Sequence, residues 1–164
     1  MRGITLLVED PNWRIHRGLP ARLKRAAQAA RRAAKLRGDF SILLADDKTL
    51  RRLNRDFRGK NKATNVLSFP GKPIGGRTAG RFASAAAPDG YAGDIAVAHG
   101  VTKAEAKAAG KSFADHAAHL VVHGVLHLAG HDHERPKDAQ VMEPLEVKVL
   151  ARLGIADPYR VAAP

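Results

Sequence analysis

Hydrophobic positions along the chain alternate between strand-length runs and helical stripes. Apolar runs at Ile4 to Val8, Phe40 to Ala45, Thr64 to Phe69 and Tyr91 to Ala98 have the length of strands. Glu9-Asp10-Pro11-Asn12 forms the exit of the first, and Pro70 stops the third. Between them, Leu23, Ala26, Ala27, Ala30 and Ala34 recur at helical spacing, with Pro20 in the first turn and Gly38 as the stop. Leu50, Leu53 and Phe57 make a second stripe, capped by Asp46 or Asp47 and closed by Gly59. Gly71 to Gly90 is rich in Gly, Ala, Pro and Ser without periodicity and reads as a mobile hairpin loop. Two capping boxes, Thr102-Lys103-Ala104-Glu105 and Ser112-Phe113-Ala114-Asp115, then open a short helix and a long one. Pro136 and Asp138 open a last helical region whose core face would hold Met142, Leu145, Val149 and Leu153. Pro144 predicts a kink or break there, near Met142, because a mid-helix proline removes a hydrogen bond and clashes with the preceding turn.

Strands alternating with helices predict an α/β fold, and the chain, 1–164, fits a single domain. The pattern leaves strand order open.

The long helix carries the candidate chemistry. His123 and His127 are four apart, so their imidazoles share one helical face and can share an ion. Leu120, Val122, Val125, Leu126 and Leu128 surround them with apolar surface. Gly130 can take the left-handed conformation that ends a helix, and the returning chain would bring His133 round as a third ligand. Three imidazoles leave a fourth position open, the arrangement of a catalytic zinc and not of a closed structural one. The metal site is thus expected on a central helix and the turn after it. The histidines and glycine fall at the positions of an extended helical zinc-protease motif, but Gly124 stands where the protease has its general-base glutamate. His116, His119 and His131 lie nearby as hydrogen-bonding partners of ligands, substrate contacts or packed side chains.

Composition narrows the partners. The chain has no cysteine, so any metal must be held by histidines and carboxylates. A formal charge of +12, from 28 Lys and Arg against 16 acids, suits a polyanionic partner such as RNA. Much of it lies on the first helix, at Arg22, Lys24, Arg25, Arg31, Arg32 and Lys35, a face that is either RNA-facing or solvated. Aromatic residues are few, which argues against an extended base-stacking platform. No apolar run approaches membrane-spanning length and the N-terminal stretch lacks a signal-peptide pattern, so a cytoplasmic protein without a membrane partner is expected.

The segment from His123 to His133, H-G-V-L-H-L-A-G-H-D-H, resembles the signature of the YbeY family of bacterial endoribonucleases and ribosomal-RNA maturation factors. Phe57 to Pro70, containing F-R-G-K and T-N-V-L-S-F-P, is similar to the family's second block. Gly93-Asp94-Ile95 is a third match, and Asp157-Pro158-Tyr159 closes the series. The resemblance implies a sheet of about four strands, mostly parallel with one antiparallel member, packed against the histidine helix. It favours zinc, one ion per chain, where ligand chemistry alone leaves nickel, copper or iron open. It also implies action on ribosomal RNA of the small subunit, at the 16S 3′ end and in ribosome quality control, with ribosomal proteins as possible partners. Arg58 matches the family's arginine and would stabilise charge growing on a phosphoryl group; otherwise it complements the dipole of its helix. Lys60 and Lys62 would hold the RNA backbone. Asp132 would fix the ligand loop, and Asp94 would either orient a ligand histidine or cap a turn. Three functions remain open: a metal-dependent endoribonuclease, another metal-dependent hydrolase such as a peptidase, and a non-catalytic ribosome-assembly factor containing a metal.

Overall fold

The computed structural model describes residues 3–71, 90–131 and 135–159. The expected loop between Gly71 and Gly90 lies outside them, as do Asp132 and His133. The described residues form one α/β domain built on a four-stranded sheet: β1 (Ile4–Val8), β2 (Phe40–Ala45), β3 (Val66–Pro70) and β4 (Gly93–Ala98). The order is β1-β2-β4-β3, with β1, β2 and β4 parallel and β3 antiparallel on the edge. The central strands β2 and β4 are buried along their whole length, whereas the edge strand β1 exposes alternate residues.

Side chains that alternate along the strands divide the core between two faces. Phe40, Ile42, Leu44, Ile95 and Val97 pack with α1 (Leu19–Ala34), α4 (Phe113–Leu128) and α5 (Pro136–Arg152). Leu43, Ala45, Leu67, Phe69, Ala96 and Ala98 pack with α2 (Asp47–Arg58), under the neighbouring α3 (His99–Ala108). Trp13, in a 3₁₀ turn after β1, is fully buried, and its indole N–H donates to the Ala45 carbonyl at 2.9 Å.

Several boundaries differ from the sequence pattern for identifiable reasons. α1 ends at Ala34 because Lys35 itself adopts the left-handed conformation, four residues before Asp39 and ahead of Gly38. β3 begins at Val66 and β4 at Gly93, each two residues later than the apolar runs suggest. α3 begins at His99, so Thr102 is inside the helix: its buried hydroxyl donates to the Ala98 carbonyl at 2.6 Å and does not cap. Ser112 does cap α4, its side chain accepting from the Asp115 N–H. α5 continues unbroken through Pro144. Both Pro144 and Gln140, whose carbonyl loses its helical partner, are on the exposed side, where water can supply the missing bond.

α4 approaches the sheet closely at Gly124. A Cβ there would stand 2.9 Å from Cγ2 of the fully buried Ile95. Ser68 of β3 reinforces the approach, its hydroxyl donating to the Gly124 carbonyl at 3.2 Å. The protease base absent from this position therefore has no space to occupy. Gly124→Ala should lower stability by about 1 kcal/mol, since overpacking of about 1–3 kcal/mol exceeds a helix-propensity gain of about 1 kcal/mol. Urea unfolding checks this; an unchanged or higher midpoint would show that helix and sheet separate freely.

Candidate metal centre and cleft

α4 carries a row of imidazoles along one side. The ring centroids of His116 and His119 are 6.1 Å apart, those of His119 and His123 6.4 Å, and those of His123 and His127 4.5 Å. The row lines a cleft of about 1170 Å³, whose walls also include Arg58, Asn65 and Glu105. The helix ends as its glycine predicts. Gly130 has φ of 96°, the His131 N–H reaches back to Leu126 and the Gly130 N–H to His127, so the chain reverses immediately after the last histidine of the helix.

Behind the row stands Glu146 of α5, fully buried. Its Oε2 accepts from His119 Nε2 at 2.7 Å and from the Tyr159 hydroxyl at 2.9 Å, and its Oε1 pairs with His123 Nδ1 at 3.1 Å. Burial pushes this carboxyl up, but the hydrogen bonds and charge of His119 and His123 outweigh it and hold the group at about 2. Burial and the same carboxylate push the Tyr159 hydroxyl up beyond its ordinary range, which keeps it a donor.

An ionised carboxylate can only accept, so Glu146 fixes His123 with its proton on Nδ1 and its lone pair on Nε2. That Nε2 faces His127 Nε2 at 3.0 Å. Two nitrogens bound to one tetrahedral zinc stand about 3.3 Å apart, so a small ring rotation would accommodate an ion. The donor set His119, His123 and Glu146, with ligand atoms within 4.8 Å of one another, could also hold a metal ion. In that set, however, the three groups already satisfy one another through hydrogen bonds.

Arg58, at the end of α2, is exposed, and its Nη2 donates to the Ser68 carbonyl at 2.7 Å while its guanidinium lies 5.8 Å from the Phe69 ring centre. The bond ties it to the β3 wall of the cleft, and Lys60 and Lys62 are exposed on the same cleft. Asp94 is elsewhere. Strand alternation turns it to the sheet face opposite the histidines, where its Oδ1 accepts from the Tyr91 hydroxyl at 2.6 Å and Tyr91 in turn meets Ser41 at 2.8 Å. The expectation that it orients a ligand histidine or caps a turn is therefore corrected: Asp94 is the second residue of β4, paired in register with Ser41 and Phe69. The carboxylate that bonds histidines of α4 is Glu146. A charge four residues after Met142 and three before Val149, on a buried helical stripe, was the sequence signal for it.

A family model described as Endoribonuclease YbeY matches residues 12–154. The chain belongs to the endoribonuclease YbeY family. Among curated family members, Endoribonuclease YbeY of Maricaulis maris (strain MCS10) is 44% identical over 161 residues, covering 97% of this chain and 92% of the relative. That of Chelativorans sp. (strain BNC1) is 47% identical over 146 residues, covering 87% and 82%. The solution structure of TM1509 from Thermotoga maritima has the same fold, with a TM-score of 0.57 and 23% identity over 92% of this chain and 89% of that one. The family's implied mixed sheet is the sheet observed, and the helix that bears its signature histidines packs on it.

Asp94 generates a pH prediction of its own. Burial pushes its carboxyl up to about 6, against the Tyr91 hydrogen bond. Because the folded value lies above the unfolded one, its contribution to stability is full below about pH 4 and is lost as pH rises through 6. Asp94→Asn should remove that component, so the variant gains on the wild type between pH 4 and 7, by on the order of 2 kcal/mol. Urea unfolding across this range checks it; a difference that does not change with pH would place the ionisation elsewhere.

Proposed function

We propose that this chain is a zinc-dependent endoribonuclease that acts in ribosomal-RNA maturation, with His123, His127 and His133 as the metal ligands. The supporting observation is the facing pair of His123 and His127 nitrogens, oriented by Glu146, in the same cleft as Arg58, Lys60 and Lys62. Family membership supports the reaction class, since the curated relatives bear the name endoribonuclease. The +12 charge and the lysines of the cleft favour an RNA backbone over a peptide. The crowding of Gly124 against Ile95 also speaks against a helical peptidase, which needs a glutamate there. Such a reading implies a cytoplasmic protein, and among the described residues no helix is long and apolar enough to cross a membrane.

A zinc ion bound here would supply Lewis acidity towards a phosphoryl oxygen and lower the pKa of water. The protein's part is positioning and charge. Glu146 holds His123 in the ligand tautomer, and Asp132 would steady the turn that bears His133. Lys60 and Lys62 would bind phosphates flanking the scissile one. Arg58, steadied by the Ser68 carbonyl, would present its remaining N–H groups to the phosphoryl oxygens as their charge grows.

Metal analysis and cleavage test the reading together. Freshly purified, chelator-free protein should contain about one zinc per chain. Substituting His123, His127 or His133 by Ala should lower that content, and His131→Ala should not. Folded His127→Ala should fail to cleave ribosomal RNA that the wild type cuts; cleavage at the wild-type rate would show that the cutting does not depend on this metal site. RNA affinity should fall steeply with salt, and a flat dependence would favour a small-molecule hydrolase instead.

Arg58 is tested by separating rate from affinity. Arg58→Ala should slow single-turnover cleavage on the order of a hundredfold, with metal content intact and a smaller effect on binding. Arg58→Lys should recover only part, because an ammonium lacks the planar pair of donors. Weaker binding with an unchanged saturated rate would reduce Arg58 to a substrate-holding role.

A further inference from the structure

Two acidic groups, Glu105 and Glu143, stand on the wall of this basic cleft, and the proposed phosphate contacts use neither; Glu105 is the one pinned between two cleft-lining side chains. Glu105 of α3 has a side chain 41% exposed and contributes to the cleft lining. It is held in place from two sides. Its Oε1 accepts from His116 Nε2 at 2.9 Å and from Asn65 Nδ2 at 3.0 Å, while Oε2 has only a long contact with Asn65, 3.4 Å. Asn65 is itself fixed, its Oδ1 accepting from the Val66 N–H at 2.6 Å. His116 is 12% exposed, so the pair is partly shielded from water. The result is a carboxylate with one oxygen committed to the protein and the other retaining acceptor capacity.

Charge decides what such a group can meet. A phosphate would be repelled by it and has Arg58, Lys60 and Lys62 in the same cleft. The complementary parts of RNA are its neutral donors, the ribose 2′-hydroxyl and the amino groups of the bases. We propose that Glu105, pinned by His116 and Asn65, is a specificity-determining residue that accepts a hydrogen bond from an O–H or N–H donor of a bound nucleotide. The proposal rests on the reading of the cleft as an RNA site. It divides the cleft into a cationic part that binds backbone at any sequence and an acceptor that recognises one nucleoside. The histidine row joins the two, running from His127 to His116 along α4.

The isosteric change Glu105→Gln gives a sharp test. Its amide oxygen can take the place of Oε1 towards His116 and Asn65, which leaves the amide nitrogen, a donor, facing the cleft. The probes are a short RNA that the wild type binds and copies of it altered at single positions. One series carries 2′-deoxyribose; the other lacks a base amino group, with inosine for guanosine or purine riboside for adenosine. Equilibrium binding to metal-loaded wild-type protein should weaken roughly tenfold at one position, as expected for a hydrogen bond to a charged group. The series in which that loss appears identifies the donor as sugar or base. Glu105→Gln should bind the unaltered RNA about as weakly as the wild type binds the altered one, and should no longer distinguish the two. Metal content and thermal midpoint should match the wild type.

If no single alteration affects wild-type binding, or if Glu105→Gln keeps the same discrimination, Glu105 only fastens α3 to α4 and β3, and the proposal is overturned. The wild-type series decides this even should the variant fail to fold. Failure of the wild type to bind the unaltered RNA would instead overturn the RNA reading of the cleft, and the Glu105 role with it.

Discussion

The site depends on a carboxylate that never reaches the cleft surface. Glu146 is fully buried, and its oxygens are taken up by His119, His123 and Tyr159. Burying an ion is costly unless hydrogen bonds satisfy it, and here partners from α4 and from the chain beyond α5 do so together. The same bonds settle which nitrogen of His123 carries the proton and hence which one faces His127. Packing of α5 on α4 is therefore coupled to the chemistry of the histidine row. Anything that loosened α5 would free the ring of His123 to rotate and change tautomer.

A second constraint is steric. Gly124 lets α4 lie against Ile95, and this fixes the height of His123 and His127 above the sheet. Ser68 connects the two ends of the arrangement, with its hydroxyl on the Gly124 carbonyl and its own carbonyl accepting from Arg58. The guanidinium and the imidazoles thus share one intermediary on β3, although α2 and α4 lie on opposite faces of the sheet.

Much of this could be read from the residues alone. The four apolar runs, the helical stripes and the reversal at Gly130 follow from local spacing and turn chemistry, and the structure contains them with shifted ends. The shifts arise where a local signal had a competing use. Thr102 bonds back to Ala98 inside a helix, and Lys35 terminates α1 without a glycine. Asp94 was misplaced because a conspicuous carboxylate within a strand does not by itself reveal which face of the sheet will meet the histidines. Glu146 went unread because its significance is tertiary: only once α5 lies on α4 do the three donors converge on it. His116 and Glu105, eleven residues apart, likewise meet only through the packing of α3 against α4.

The ends of two helices give the cleft an electrical character of their own. α4 stops at Leu128 and α2 at Arg58, so both bring their C-terminal ends towards the same space. Each such end carries roughly half a negative elementary charge. A dication beside His123 and His127 would therefore sit in a favourable field before any ligand bond is counted. The polyanion meets the opposite situation. Without Arg58, Lys60 and Lys62 at its mouth, the cleft backbone itself would repel an RNA phosphate. Arg58, Lys60 and Lys62 would thus offset a polarity built into the fold, one that favours a cation and disfavours a phosphate.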